Sequence, residues 1–175
     1  AACAVAFPDG YAEVRSPPGA APPPARTFRG LAELRQVLHR GGIGGVRATD
    51  SGASLCAPTT LLFERLLAFR ASVRRHNGGD PFRPRHYRRL LLEAGFARAE
   101  AGASVESAGA TENTRRHAVF LQAMLQGLAP TLRAQGWLDR AGIDAMAAEI
   151  EAWARRPDAF YTTTWCDALG WLREH

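Results

Sequence analysis

Two charged residues at the end of a short apolar segment are the first candidates for chemistry in this sequence. Arg47 lies within the segment IGGVRAT at residues 43–49, and Asp50 follows it directly. The segment has the composition of a strand, and doubly wound sheets bind ligands beyond the carboxyl ends of their strands. We therefore predict that Arg47 and Asp50 contact a substrate. The alternative is that both are surface charges where a strand ends.

Four further side chains could contact a small molecule. His76 and Asn77 begin the turn cluster HNGGDP, from which an imidazole and an amide could reach a ligand. Tyr161 and Trp165, four residues apart in the last extended run, share one face of the strand that this run predicts. Each pair has a plainer alternative, because Asn in a turn commonly serves the backbone geometry and strand aromatics commonly lie in a core.

A helix followed directly by a strand positions the first two candidates. Leu31, Leu34 and Leu38 recur at helical spacing, and the Gly-Gly pair at residues 41–42 ends the helix. The segment at residues 43–49 then begins as a strand. This αβ unit is the repeating element of doubly wound sheets.

The second half of the chain predicts two strands and two long helices. Between residues 98 and 106, alanine and valine alternate with charged and polar residues, which predicts a strand with one face covered. Thr111 is the predicted N-cap of a long helix, and a second helix carries apolar residues at helical spacing through Arg155. The last strand follows at residues 161–166.

Four segments, in order along the chain, resemble the class I S-adenosylmethionine-dependent methyltransferases of the type 11 and ubiquinone-biosynthesis-like kind. AVAFPDG at residues 4–10 resembles the family's segment ahead of the fourth strand, and the helix and strand at residues 31–50 resemble its late half. Residues 76–96, with NGGDP and RRLLLEAGF, resemble the approach to the sixth strand. FYTTTWCDALGW at residues 160–171 resembles the closing strand.

The resemblance implies a fold and a cofactor. The fold is α/β, with a partial doubly wound, Rossmann-like sheet of late strands only and a helical insertion at about residues 111–157, before the last strand. Residues 1–30 are then an irregular remnant of the fourth-strand region, and residues 31–175 are the C-terminal part of the methyltransferase domain. S-adenosylmethionine is the implied cofactor. The positions that map to cofactor contacts are Ala1, Ala2, Ser16 and Pro17.

The residues with which this family chiefly holds its cofactor are missing from the sequence. Neither a Gly-rich turn that opens a helix nor an acidic residue after a second strand is present. The glycines at residues 41–45 precede a strand, so we interpret them as a helix end. We therefore expect this chain alone to bind S-adenosylmethionine weakly or not at all, and to have weak or no activity alone. No catalytic residue is identified.

The proline-rich stretch at residues 12–26, AEVRSPPGAAPPPAR, occupies the place of the family's fourth strand. Prolines lack the backbone N–H donors that a central strand needs, so this stretch should not form a strand. The strand predicted at residues 43–49 would then have no neighbour on that side. Because this stretch has the family's length but an alien composition, one hypothesis is that its codons are read out of frame. The other is a natural polyproline linker.

Composition favours one domain in a reducing compartment. The 175 residues are 46% hydrophobic, their net charge is +5, and every basic residue is arginine. The three cysteines form no C-x-x-C pair and the five histidines have no metal spacing, so we predict a cytoplasmic protein without a metal site. No apolar run is long enough to predict a membrane span. The charges are scattered and no aromatic residues are interleaved with them, which argues against nucleic-acid binding.

The sequence thus predicts an enzyme by resemblance: a C-terminal fragment of a methyltransferase that acts on a small-molecule acceptor. The alternative is a degenerate, non-catalytic interaction module that binds a partner protein. In either case an exposed sheet edge predicts self-association.

Overall fold

The computed structural model describes residues 3–6, 11–15 and 24–174, and the side chains of residues 30–174. The elements in this part of the chain are β1 (Cys3–Ala6), β2 (Tyr11–Arg15), α1 (Pro24–Val37), β3 (Ile43–Thr49), β4 (Leu55–Ala57), α2 (Leu61–His76), a 3-10 turn (Arg83–His86), α3 (Tyr87–Glu93), β5 (Arg98–Ala108), α4 (Thr111–Ala134), α5 (Arg140–Ala154) and β6 (Phe160–Trp171). The four proposed cofactor positions lie outside the described residues.

The chain divides into two compact units, each made of several segments. The first unit comprises Ala1–Asp50, Asn77–Ser104 and Thr164–His175, and the second comprises Ser51–His76 and Val105–Thr163. Strands β5 and β6 each contribute residues to both units. The division that we predicted, into residues 1–30 and 31–175, stays a prediction.

The sheet of the first unit mixes parallel and antiparallel pairs. Strand β2 pairs in parallel with β3, which it joins through α1, and β3 pairs antiparallel with β6 from Ile43↔Trp171 to Thr49↔Trp165. Strand β5 pairs with the other side of β6. A parallel pair with a helical crossover is the repeating element of a doubly wound sheet. The predicted α/β class, with a partial sheet of this kind, is confirmed.

The expectation that β3 lacks a neighbour on the side of the earlier strands is wrong. Strand β2 pairs with β3 from Tyr11↔Ile43 to Arg15↔Arg47, and β1 pairs antiparallel with β2. The first proline of the suspect stretch is Pro17, two residues after β2 ends, so the prolines remove no hydrogen bond from this ladder. Most of that proline stretch lies outside the described residues.

The core of the first unit is built on Phe96, which lies just before β5. Gly44 and Gly170 face each other across β3 and β6, and the Phe96 ring packs on both. A Cβ on Gly170 would lie 2.8 Å from the ring, and one on Gly44 would lie 3.0 Å from it. Leu34 from α1 and Leu91 from α3 pack beside the ring. The ring therefore fills a space that exists only because both strands carry glycine.

The second unit is mainly helical. Helices α2, α4 and α5 pack around a core whose largest fully buried members include Leu66, Leu121, Leu125, Met146 and Ile150. Strand β4 pairs antiparallel with the first residues of β6. The predicted helical insertion before the last strand is present as α4 and α5. Among the described residues, no helix has the length and hydropathy needed to cross a membrane.

Two local predictions in this region are wrong. The residue that caps α4 is Ala110, and Thr111 is the first helical residue. Strand β5 is covered only at Ala99 and Ala108, because every residue from Glu100 to Ser107 is exposed. Alternation of small and charged residues therefore did not indicate a covering element here.

The Phe96 contact predicts the effect of alanine at two glycines. Gly170→Ala should destabilise the protein by about 1–3 kcal/mol, because Phe96 is buried and the added methyl overpacks the core. Gly127→Ala, in α4 with nothing within 4 Å of its Cβ position, is the matched control and should stabilise by about 0.5–1 kcal/mol. Urea unfolding measures both changes. Equal effects of the two variants would contradict the packing described here.

Candidate functional site

Arg47 and Trp165 are brought together near the carboxyl end of β3. The guanidinium of Arg47 lies 5.1 Å from the centroid of the Trp165 ring, and its Nη2 donates a hydrogen bond to Ser104 Oγ at 3.1 Å. Three strands contribute, because Arg47 is on β3, Trp165 on β6 and Ser104 on β5. Arg47 is exposed, so the cluster presents a cation on an aromatic face to solvent.

The indole nitrogen of Trp165 is a second polar feature of this cluster. Its Nε1 atom is buried and has no hydrogen-bond partner among the described residues. Buried donors in native proteins are nearly always paired, so an orphan of this kind calls for an explanation. The Trp165 indole N–H is therefore a donor that the described residues leave without an acceptor.

Asp50 is buried and forms a two-pronged ion pair with Arg85. Arg85 Nε donates to Asp50 Oδ2 at 2.5 Å, and Arg85 Nη2 donates to Asp50 Oδ1 at 3.1 Å. The Asp50 side chain is 4% exposed and that of Arg85 is 48% exposed. The Asp50 backbone N–H also donates to the Thr164 carbonyl at 3.0 Å. Asp50 therefore holds the end of β3 to the 3-10 turn and to β6.

The ion pair affects the charges around it. The hydrogen bond to Asp50 raises the pKa of Arg85, and the guanidinium also lies 4.7 Å from the Phe82 ring centroid. Burial, with the neighbouring Asp50 carboxylate, raises the pKa of the Cys166 thiol. At neutral pH, Asp50 and Arg85 thus form a charged pair beside a neutral thiol.

The turn that begins with His76 and Asn77 serves local structure. His76 ends α2 and packs edge-on against Trp137, with ring centroids 5.8 Å apart. Asn77 is exposed. Asp80 Oδ1 accepts a hydrogen bond from the Phe82 backbone N–H at 2.8 Å, a geometry that stabilises turns. These contacts agree with the backbone alternative, and a substrate role for His76 and Asn77 stays a prediction.

Tyr161 lies in the core of the second unit. It is 2% exposed and packs against the rings of Phe63, Trp153 and His117, the last with centroids 4.0 Å apart. Burial raises the pKa of its hydroxyl. This environment is typical of a packing residue. Tyr161 and Trp165, predicted to share a strand face, therefore differ in what surrounds them.

The described residues do not favour a nucleophilic thiol or a metal site. Burial, with the nearby Glu149 carboxylate, raises the pKa of Cys56 to about 12, so its thiolate is negligible at neutral pH. No group of three or more His, Cys, Asp and Glu residues in the described part of the chain is placed to hold a metal ion.

Sequence reasoning missed the partners that complete this site. Arg85 is one of four arginines between residues 83 and 89, but its pairing with Asp50 depends on the 3-10 turn. Ser104 is 57 residues from Arg47 along the chain. No sequence signal marks Ser104, because only the pairing of β5 with β6 carries it to the Arg47 side chain.

Comparisons with known proteins bear on the chain as a whole. It is 30% identical over 167 residues to the probable methyltransferase ltbC of Aspergillus luteorubrus, in an alignment that covers 87% of this chain. The chain spans about half of that relative, 56% of its length. No protein-family model matches the sequence.

A solved structure is also similar. It is the Haemonchus contortus phosphoethanolamine N-methyltransferase 2, in complex with phosphomonomethylethanolamine and S-adenosylhomocysteine. The match has a TM-score of 0.36 and 10% identity, and it covers 84% of this chain and 30% of the other.

The ion pair at Asp50 predicts an asymmetric mutational response. Arg85→Gln should lower the melting temperature by several degrees, because it leaves a buried carboxylate without its two-pronged partner. Arg89→Gln removes an exposed pair with Glu93 and should have little effect. Circular dichroism melts at neutral pH distinguish the two variants, and similar melting temperatures would contradict the role given to Asp50.

His117 predicts a pH dependence of the second unit. Burial and the Arg70 charge, opposed by Glu106, lower its pKa from 6.5 to about 4. The unfolded chain therefore takes up the proton more readily than the folded one. The stability gained by burying neutral His117 is complete above pH 6.5 and is lost as the pH falls toward 4. The melting temperature of His117→Phe should fall less than that of the wild type over this range. Exposed His86→Gln should keep the wild-type slope.

Proposed function

We propose that this chain, which is similar to a probable methyltransferase, is the C-terminal portion of a class I S-adenosylmethionine-dependent enzyme that methylates a small molecule. The match of 30% identity over 167 residues to a probable methyltransferase carries this proposal. The cluster at the carboxyl end of β3 supports it, because doubly wound sheets bind ligands at that edge.

The described residues do not include the Gly-rich turn with which such an enzyme holds its cofactor. The described glycines with positive φ are Gly41, Gly78, Gly95 and Gly136. Gly41, Gly95 and Gly136 come just after α1, α3 and α4, and Gly78 lies in the turn after α2, so none opens a helix toward a phosphate or ribose. The residues described do not fit S-adenosylmethionine. We expect weak or no binding of the cofactor by this chain alone.

The contribution of this chain is to bind and orient the methyl acceptor. The methyl group of a sulfonium is already activated, so placing the acceptor atom in line is the main requirement. Arg47 offers an exposed cation that can hold an anionic or carbonyl oxygen, and Trp165 offers a ring face for a planar body.

An interaction module is the second candidate, and the exposure of β5 favours it. Its residues from Glu100 to Ser107 are exposed, and its pairing among the described strands is with β6. Exposed edge strands add further strands readily. A copy of the same chain pairing along β5 would give the self-association that we predicted.

The coding DNA upstream of this chain is the first test. We expect it, translated in all frames, to contain a strand, a Gly-rich turn and a helix. The protein that joins that segment to this chain should transfer labelled methyl groups from S-adenosylmethionine to small acceptors. An upstream region without such a segment would favour the interaction module, and sedimentation of this chain would then test self-association.

Variants of the joined protein test the acceptor site. Arg47→Gln should raise the KM for the acceptor about tenfold, because a hydrogen bond to a charged group is lost, while the Kd for S-adenosylmethionine stays unchanged. Arg115→Gln, exposed on α4, is the control with the same loss of charge. An unchanged KM in Arg47→Gln would remove this residue from the site. Saturable cofactor binding to this chain alone in calorimetry would overturn our expectation of weak binding.

A further inference from the structure

A cavity of about 760 Å³ lies in the first unit, at the amino end of β3. Its wall comes from the end of α1 and the turn after it, the residues just before β5, and the residues just after β6. The lining residues are Arg35, Gln36, Leu38, Arg40, Gly95, Phe96, Ala97, Leu172 and Arg173. The volume lies in the range of small-molecule sites. This cavity is distinct from the Arg47 cluster, which lies near the other end of the same strand.

Three arginines and no acidic residue line this cavity. Within the described part of the chain, no carboxylate pairs with the guanidinium groups of Arg35, Arg40 and Arg173. Elsewhere in the unit, Arg85, Arg89 and Arg98 are paired with carboxylates. Three like charges around one cavity repel each other and attract an anion.

The backbone around the cavity is held in place by hydrogen bonds. The Gly41 N–H donates to the Arg173 carbonyl at 3.1 Å, and the Leu172 N–H donates to the Gly42 carbonyl at 3.0 Å. The Ala97 N–H donates to the Trp171 carbonyl at 2.8 Å. These bonds tie the segment after β6 to the turn before β3 and to the start of β5. The wall that carries Arg173 therefore needs no ordering when a ligand binds.

Gly95 brings Arg35 into the cavity wall. Its φ of +93° is the left-handed conformation that favours glycine, and a Cβ there would lie 3.2 Å from Arg35 Nε. The guanidinium can thus lie directly over the backbone. The position of Arg35 in the last turn of α1 also favours a cation, but that explanation does not extend to Arg40 and Arg173, which lie outside the helix.

The cavity also has an apolar part. Phe96 is buried in the core of the unit, and Leu38 and Leu172 pack against that core at its margin. A ligand that fits must therefore combine an anionic group with a compact apolar body. Guanidinium groups bind phosphate and carboxylate through paired hydrogen bonds, so both are suitable anionic groups.

We propose that this cavity binds a small organic anion, with its phosphate or carboxylate on Arg35, Arg40 and Arg173 and its apolar part against Phe96 and Leu172. The site is separate from the acceptor site and does not depend on methyl transfer. A second ligand at this end of the sheet gives the protein a place at which a metabolite can be sensed or held.

Titration of this chain with phenyl phosphate tests the proposal. Binding followed by calorimetry should be saturable, and inorganic phosphate should bind more weakly because it lacks an apolar part. The double variant Arg40→Gln, Arg173→Gln should weaken phenyl phosphate binding about tenfold or more, since charge-assisted hydrogen bonds are lost. The control is Arg116→Gln with Arg140→Gln, which removes the same charge from exposed pairs in the second unit.

The outcomes separate the ligand classes. Phenylacetate in place of phenyl phosphate distinguishes a carboxylate from a phosphate, and tighter binding of either one supports the proposal. Absence of saturable binding by both, or an equal loss in the control variant, overturns it. Binding of a short RNA without any binding of the small anions also overturns it, because that result indicates a diffuse basic surface. Circular dichroism melts confirm that each variant is folded.

Discussion

The contact between one aromatic ring and two glycines holds the first unit together. Phe96 lies over Gly44 and Gly170, which face each other across β3 and β6. Because neither glycine has a side chain, the ring packs on the backbone of both strands and ties them to the chain that leads into β5. The register of β3 against β6 then places Arg47 beside Trp165 near one end of the pair. At the other end it frames the basic cavity.

Much of the fold could be predicted from the spacing of apolar residues and from the glycines that end helices. Leucines at helical spacing followed by Gly-Gly located α1 and β3, and the apolar faces of the insertion located α4 and α5. Strand β2 was not predicted because the proline-rich stretch was interpreted as irregular from residue 12. The prolines begin only at Pro17, after the strand has ended. The exposure of β5 was missed because alternation indicates two different faces, and whether anything covers one face depends on tertiary packing.

The candidate site was predicted less completely than the fold. The end of a strand is visible in sequence, so Arg47 and Asp50 could be chosen, but the partners of both are set by tertiary structure. Arg85 meets Asp50 across a 3-10 turn, and Trp165 meets Arg47 through an antiparallel register. Among the described side chains, the burial of Tyr161 depends on α2, α4 and α5 together. No local pattern contains that information.

The way in which the two units share the chain limits when each unit can fold during synthesis. The path changes unit after Asp50, after His76, after Ser104 and again after Thr163. A nascent chain that has emerged through α5 still lacks Gly170. The Phe96 ring can then pack on Gly44 of β3 but not on its second glycine. Neither unit can therefore be completed, cut out or exchanged as a continuous piece. The first unit cannot be completed before β6 has been synthesised.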